Sequence, residues 1–330
     1  MAERIDGSLV LDCIDLSNPD IHQSASLMKK ACMDSGIFYV TNHGIREEVM
    51  AEVFAQIKKL FSLPLKEKMK LMIDNNRGYT VPKKNQFVDP ETNLESQAEG
   101  YGIIQEVRDG ETILEKPLGV PNVWPSNDTL PGWKEIMIKY LQEVLDVGRA
   151  VSRIIAVALD LNVDFFDQPQ FLGNALSYIV INHYKVGGVD PTKEPILGTP
   201  THTDPCLITV LASDGLPGLQ ICKDVNTKPR IWTNVAPLKG AFIVSVGDML
   251  ERMTNCVFKS PVHRVQHRQD RYSIPYFLFP SRDAILECLP SCKSAENPAK
   301  FPPIESKELM SFIFGELRNG RVPVIDVTKY

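Results

Sequence analysis

The chain has 330 residues, 43% apolar and 8% aromatic, with a formal net charge of −5. That composition can fill one large β-type domain or two smaller ones, while the scattered Lys and Arg, in short runs such as Lys29-Lys30 and Lys83-Lys84, exclude the concentrated positive charge that a nucleic-acid partner needs. The segment from Met1 lacks the apolar core of a secretion signal and no apolar run reaches membrane-spanning length, so a cytoplasmic protein with no membrane partner is expected.

The first half reads mainly as helix. Asn18 and Asp20 offer N-caps to a segment with Ile21, Ala25, Leu27, Met28 and Ala31 on its apolar side, running to Ser35 and stopped by Gly36. Ile37-Phe-Tyr-Val40 is a short β-prone run. A second helix, about Arg46 to Phe61, carries Val49, Val53, Ile57 and Leu60 on one face before Pro64 ends it. The stretch from Asp74 to Asp128 is rich in Asn, Gly, Pro and charge and has no clear period. Its length inside a globular chain favours a functional lid, with Arg77-Gly-Tyr79 and Glu99-Gly-Tyr101 as candidate ligand contacts. The longest helical pattern follows, from Pro131 to about Leu161.

Near Ser177 the character changes. Short β-rich runs cover Ser177–Tyr184, Leu207–Ala212, Leu219–Cys222, Ile231–Val235, Ala241–Val246, Cys256–Lys259, His263–Val265 and Arg271–Phe279, which predicts a sandwich or barrel. A Pro-rich stretch and a helix from about Ser306 to Arg318 close the chain. The expected divisions are an N-terminal region at 1–130 with the lid segment at about 74–128, a supporting long helix at 131–175, a β core at 176–281 and a C-terminal extension at 282–330. Seven dispersed cysteines read as reduced thiols, and Cys288 and Cys292, which bracket Leu-Pro-Ser, read as a structural loop. Nothing demands a partner chain, and a monomer is expected.

The chemistry begins at Thr201-His-Thr-Asp204. In an extended segment residues i and i+2 share a face, so His202 and Asp204 can approach one ion together. An imidazole and a carboxylate with open positions left suit Fe(II) held by two His and one carboxylate. Six histidines narrow the third ligand. His22 and His43 lie in the helical half, His183 faces away from its strand neighbours Asn182 and Tyr184, and His267 sits in a charged loop, which leaves His263. Arg271-Tyr-Ser273 is again an i, i+2 pair. Arg grips a carboxylate with a fork of donors, and Ser adds a hydroxyl on the same face. An H-x-D tripeptide alone is weak evidence, but the ordered set H-x-D, β-rich interval, His and R-x-S is much more specific.

With these motifs the sequence resembles the plant-type 2-oxoglutarate- and Fe(II)-dependent dioxygenases, relatives of isopenicillin N synthase. The likeness covers nearly the whole chain, through Gly36-Ile-Phe-Tyr-Val-Thr-Asn-His-Gly-Ile45, Phe61-Ser-Leu-Pro64, Gly218-Leu-Gln220, Asn234-Val-Ala-Pro237, Gly247-Asp248 and Ser260-Pro-Val-His-Arg264. It implies an α+β fold: a double-stranded β-helix (jelly-roll) core flanked by helices, with a largely helical N-terminal region. It further implies that His202, Asp204 and His263 bind iron, that Arg271 and Ser273 hold the distal carboxylate of 2-oxoglutarate, and that Asn182 and Tyr184 approach this cosubstrate. His183 and Lys185 stand where the family usually has Tyr and Pro. O2 would be the second cosubstrate and ascorbate a candidate stimulant, and a small molecule would be hydroxylated with release of succinate and CO2.

Within the family, the Arg77, Glu99, Pro217-Gly-Leu-Gln220 and Cys288–Cys292 segments look most like a clade that hydroxylates homoarginine at C6. On that likeness the substrate is expected to be a basic amino acid, with Glu95 or Glu99 meeting its guanidinium, Arg77 its carboxylate, and Tyr79, Tyr101 and Phe277 completing the site. Four alternatives stay open: a hydroxylase or desaturase of a plant hormone or specialised metabolite, an oxidase that uses no 2-oxoglutarate, a zinc hydrolase on the same ligands, and a non-catalytic binder.

Overall fold

The computed structural model describes residues 4–5, 7–74, 77–81, 86–105, 121–186, 195–222, 224–321 and 323. The N-terminal strands β1 (Arg4–Ile5) and β2 (Ser8–Leu9) form a small ribbon, and β3 is Cys13–Asp15. Helix α1 (Ile21–Asp34) starts where expected, because the Asp20 carboxylate accepts the amides of His22 and Gln23. Strand β4 (Ile37–Thr41) and helix α2 (Glu47–Ser62) follow, then a short α3 (Leu65–Met69).

Strand β5 (Met72–Asp74) ends where the aperiodic stretch read as a lid begins, and that stretch contains two strands, β6 (Arg77–Thr80) and β7 (Ala98–Ile104). Glycines at 78, 100 and 102 broke the apolar alternation that would have marked them. Gly78 has φ +63° and lies so close to the Leu71 carbonyl that a Cβ would collide with it. Helix α4 spans Trp133–Ala158 and buries Met137, Tyr140, Val144, Val147 and Val151 along one stripe. A Cβ on Gly148 would stand 3.0 Å from Leu278 Cδ2, so glycine permits close seating of this helix on the sheet.

The remaining strands are β8 (Leu176–Tyr184), β9 (Ile196–His202), β10 (Ile208–Ser213), β11 (Leu219–Cys222), β12 (Trp232–Asn234), β13 (Phe242–Val246), β14 (Val262–His267) and β15 (Arg271–Phe279). Helix α5 (Asp248–Met253) separates β13 from β14. A last pair, β16 (Ile285–Leu286) and β17 (Ile304–Glu305), precedes α6 (Ser306–Arg318). Cys256–Lys259, expected as a strand, is the turn after α5, where Asn255 and Cys256 take positive φ. His267, expected in a loop, ends β14.

Two sheets make the jelly roll. The larger runs β3-β4-β13-β10-β15-β8-β7-β6-β5 and the smaller β12-β11-β14-β9. Five strands from the N-terminal region therefore extend the same sheet that carries β8 and β15. The main core unites α1, α2, α4 and α6 with buried residues of the larger sheet, and a smaller apolar cluster joins Ile37, Tyr39, Leu219 and Ile221 across the two sheets. Among the described residues, no helix is long and apolar enough to cross a membrane.

Candidate metal centre and adjoining cavities

His202 ends β9 and pairs in register with His263 of β14, which brings their rings to 4.1 Å between centroids. Asp204 lies two residues beyond the strand, so it reaches the site by a turn and not by the strand alternation expected for H-x-D. Its carbonyl accepts the Asp248 amide at 2.8 Å, and its Oδ2 accepts Ser245 Oγ at 3.3 Å. Gly247 lies against this turn, where any Cβ would strike the Cys206 carbonyl.

One ligand atom from each of His202, Asp204 and His263 lies within 4.8 Å of the others. Both imidazoles are aimed in the same way. Nδ1 of His202 lies 2.7 Å from the Pro200 carbonyl and Nδ1 of His263 lies 2.9 Å from that of Pro261. Each Nδ1 therefore carries the proton and donates it, leaving Nε2 bare on the side of Asp204 Oδ1, 3.6 Å from each. Burial alone would raise the Asp204 carboxyl, but the two imidazoles hold it well below the usual carboxylate range. Burial, reinforced by His202, lowers His263 to about 4. For His202 the attraction of Asp204 outweighs burial, and its pKa rises. Two bare imidazole nitrogens and an ionised carboxylate converging from three directions fit a divalent first-row metal.

Beside this cluster, between the sheets, lies a cavity lined by Asn182, Tyr184, Arg271 and Ser273. The register explains the grouping: Arg271 pairs with Tyr184 and Ser273 with Asn182, so all four project from one face of β8 and β15. Tyr184 Oη and Ser273 Oγ lie 3.1 Å apart, and the Arg271 guanidinium sits 5.2 Å from the Tyr184 ring centroid. Arg271 is 2% exposed; its Nε donates to the Leu216 carbonyl, while Nη1 has no hydrogen-bond partner among the described residues. A buried guanidinium with unmet donors calls for an anion, and its fork matches a carboxylate. A Cβ on Gly218 would come within 3.1 Å of Arg271 Cδ and Nε, so glycine keeps this space open.

A second cavity reaches the cluster from the other side. Its walls include Val180, Phe277, Phe279, Ile313, Phe314 and Leu317, the last three from α6. The charged or imidazole groups among its described lining residues are Glu99, His202 and Asp204. Glu99, however, turns its side chain away from this cavity. In β7 it pairs with His183, whereas Gly100 pairs with Asn182, so the Glu99 side chain takes the opposite face.

The expected substrate contacts therefore divide. Phe277 borders both cavities. Tyr79 donates to Glu99 at 2.5 Å, and the Glu99 carboxylate is saturated by its neighbours. Tyr101 is fully buried, donates to the Val123 carbonyl and packs edge-on to Trp133. Arg77 is buried, and neither it nor Glu95 lines either cavity. The Glu99 side chain is turned away from the substrate cavity where it was expected to meet a guanidinium, because one residue of register decides which face a strand side chain occupies. The α6 wall was not foreseen. The apolar stripe of that helix was legible, but what it covers depends on chain folding.

Two family models match the chain: the N-terminal region of non-haem dioxygenases in morphine synthesis over residues 11–127, and the 2OG-Fe(II) oxygenase superfamily over residues 176–280. Kihadalactone A synthase LFS of Citrus sinensis is 50% identical over 309 residues, 93% of this chain and 92% of the relative. Azadirone synthase LFS of Melia azedarach is 48% identical over 314 residues, 94% of each. Among solved structures, a 2OG-Fe(II) oxygenase family protein from Caulobacter crescentus superposes with TM-score 0.80 at 25% identity, covering 94% of this chain and 99% of that one. The likeness to the homoarginine-hydroxylating clade is not among these findings.

Proposed function

The chain belongs to the 2OG-Fe(II) oxygenase superfamily and is a 2-oxoglutarate-dependent dioxygenase, and from that premise we propose that it oxidises a C–H bond of a largely apolar, uncharged small molecule bound in the cavity walled by α6. The apolar walls, with no free counter-charge among the described lining residues, carry this reading. Among the described lining residues a basic amino acid would find no partners for its guanidinium, ammonium and carboxylate, at a cost of several kcal/mol for each unpaired ion.

His202, Asp204 and His263 hold Fe(II) in this reading. Bound iron supplies the redox chemistry, in which O2 oxidatively decarboxylates 2-oxoglutarate to succinate and CO2 while the substrate loses two electrons. Arg271 and Ser273 take the distal carboxylate of 2-oxoglutarate, and Tyr184 braces Ser273 through its hydroxyl. Asn182 borders both cavities and offers an amide between cosubstrate and substrate. Phe277 and Phe314 exclude water and orient the apolar body, so that the barrier falls mainly through positioning.

The test is substrate-stimulated succinate release and O2 uptake by the Fe(II)-loaded protein across a metabolite panel holding both apolar compounds and basic amino acids. Stoichiometric coupling with an apolar compound is expected. Coupled turnover of homoarginine, with no apolar compound active, would overturn the reading.

A further inference from the structure

On the face of the larger sheet that turns away from both cavities lies a buried polar cluster that the reaction does not use. Its centre is the Glu99 carboxylate, 3% exposed, which receives four donors. Lys68 Nζ at 2.7 Å and Tyr79 Oη at 2.5 Å reach Oε2, while Lys185 Nζ at 2.6 Å and His183 Nδ1 at 2.9 Å reach Oε1. Burial would raise this carboxyl, but the bonds from His183, Lys185, Lys68 and Tyr79 lower it to about 2. His183 in turn stacks on Tyr272, with centroids 4.4 Å apart and planes within 5° of parallel, and Phe61 of α2 packs over the His183 ring at 5.3 Å. Lys68 also donates to the Phe61 carbonyl, which fastens α2 and α3 to the same point. Asp270, largely exposed, stands 3.7 Å from His183 Nε2.

The register gives this cluster its meaning. Glu99, His183 and Tyr272 form one row across β7, β8 and β15. The row on one side of it is Ala98, Tyr184 and Arg271, and the row on the other is Gly100, Asn182 and Ser273. Tyr184 and Arg271 of one flanking row and Asn182 and Ser273 of the other line the cosubstrate cavity, while Ala98 and Gly100 border the substrate cavity. The outward row thus lies between, and directly behind, the four side chains that face 2-oxoglutarate. A strand whose outward residue is pinned has its inward neighbours pinned too, since successive side chains share one backbone. His183 in β8 and Lys185 just after it, the two departures from the usual family pattern, both bond this carboxylate.

We propose that Glu99 and His183 are positioning residues for 2-oxoglutarate: the Glu99 carboxylate fixes His183, the His183 ring fixes Tyr272, and together they hold Tyr184, Asn182, Arg271 and Ser273 in binding geometry. This rests on the assignment of Arg271 and Ser273 to the cosubstrate carboxylate. The two variants are Glu99→Gln, which keeps shape and acceptor but removes the charge, and His183→Phe, which keeps the stack but removes the bond to Glu99. Because Glu99→Gln leaves two lysines without their anion, His183→Phe serves as the variant that retains the fold, with thermal melting checking both.

Anaerobic calorimetric titration of 2-oxoglutarate into the Fe(II)-loaded protein is the primary readout, with a separate Fe(II) titration and steady-state succinate release. A rise of fivefold or more in the 2-oxoglutarate Kd and KM is expected in a folded variant, with a smaller change in kcat and an Fe(II) affinity within twofold of the parent. A 2-oxoglutarate Kd within twofold in folded His183→Phe, or a loss confined to kcat or to Fe(II) affinity, would overturn the proposal. Arg271→Met measured in parallel separates the two claims. If Arg271→Met weakens 2-oxoglutarate and His183→Phe does not, the positioning role fails alone; if Arg271→Met has no effect, the cavity assignment fails first.

Discussion

Asp89→Asn tests how the substrate cavity is tied to the metal-bearing strand. Asp89 is fully buried; its Oδ1 accepts the amides of Glu91 at 3.0 Å and Thr92 at 2.9 Å, and its Oδ2 accepts the Thr201 amide at 2.8 Å. Thr201 immediately precedes His202, and the segment that Asp89 organises places Phe87 and Ser96 on the cavity wall. Burial would raise the Asp89 carboxyl, yet these donors, Thr201 foremost, lower it from 3.8 to about 2. At about 1.4 kcal/mol per unit, that shift corresponds to roughly 2–3 kcal/mol in favour of the ionised form. The amide of Asn can still serve Glu91 and Thr92 through its oxygen, but it then turns N–H toward the Thr201 N–H, leaving a buried donor unmet at about 1–3 kcal/mol. The two routes agree on a loss of about 2–3 kcal/mol, or about 3–4 °C in Tm for a chain of this size.

Urea unfolding at neutral pH is the assay, with the KM for substrate as a second readout expected to rise several-fold. The depressed carboxyl stabilises the folded state fully above its unfolded value of 3.8, and that contribution disappears as pH falls toward 2. The gap between parent and variant should therefore be flat from about pH 8 to about 4.5. A loss below about 0.5 kcal/mol, or a gap that changes near neutral pH, would refute the reasoning.

Four further outcomes are expected. Asp204→Ala or His202→Ala should reduce iron-dependent succinate formation roughly a hundredfold or more, and undiminished turnover in either would remove the metal assignment. Arg271→Met should raise the KM for 2-oxoglutarate about 10–100-fold, the worth of a charge-assisted pair at roughly 1.5–3 kcal/mol, with the fold intact by circular dichroism. Phe277→Ala should weaken substrate by about tenfold and release succinate without substrate oxidation, seen as a falling ratio of product to succinate. Metal loading should fall with acid. The raised pKa of His202 means that it takes a competing proton first, already above the ordinary imidazole range, while His263 takes one only near 4. The slope of log affinity against pH should be close to one between about pH 6 and 5 in a fluorescence or calorimetric Fe(II) titration. A slope of two there would contradict the ordering.

Local features carried the elements and the motifs. The Asp20 cap, the apolar stripes of α2, α4 and α6 and the alternation in Arg271–Phe279 depend on residues a few positions apart, and the sequence alone placed the ends of these elements to within about three residues. The pair Arg271 and Ser273 was equally legible, because strand alternation is a local property. Contacts between distant segments behaved differently. His202 and His263 meet because β9 and β14 pair, and Asp204 reaches them through a turn braced by Asp248 and Ser245. The glycines of β6 and β7 hid two strands. With those strands unseen, the face taken by Glu99 could not be known, and a residue expected to meet substrate lies behind the sheet, bonded to His183. The substrate wall is set by where α6 returns to pack against the larger sheet. Composition and spacing determine what a segment is and which chemistry it can perform. Tertiary packing decides which face a side chain occupies, and so which molecule it meets.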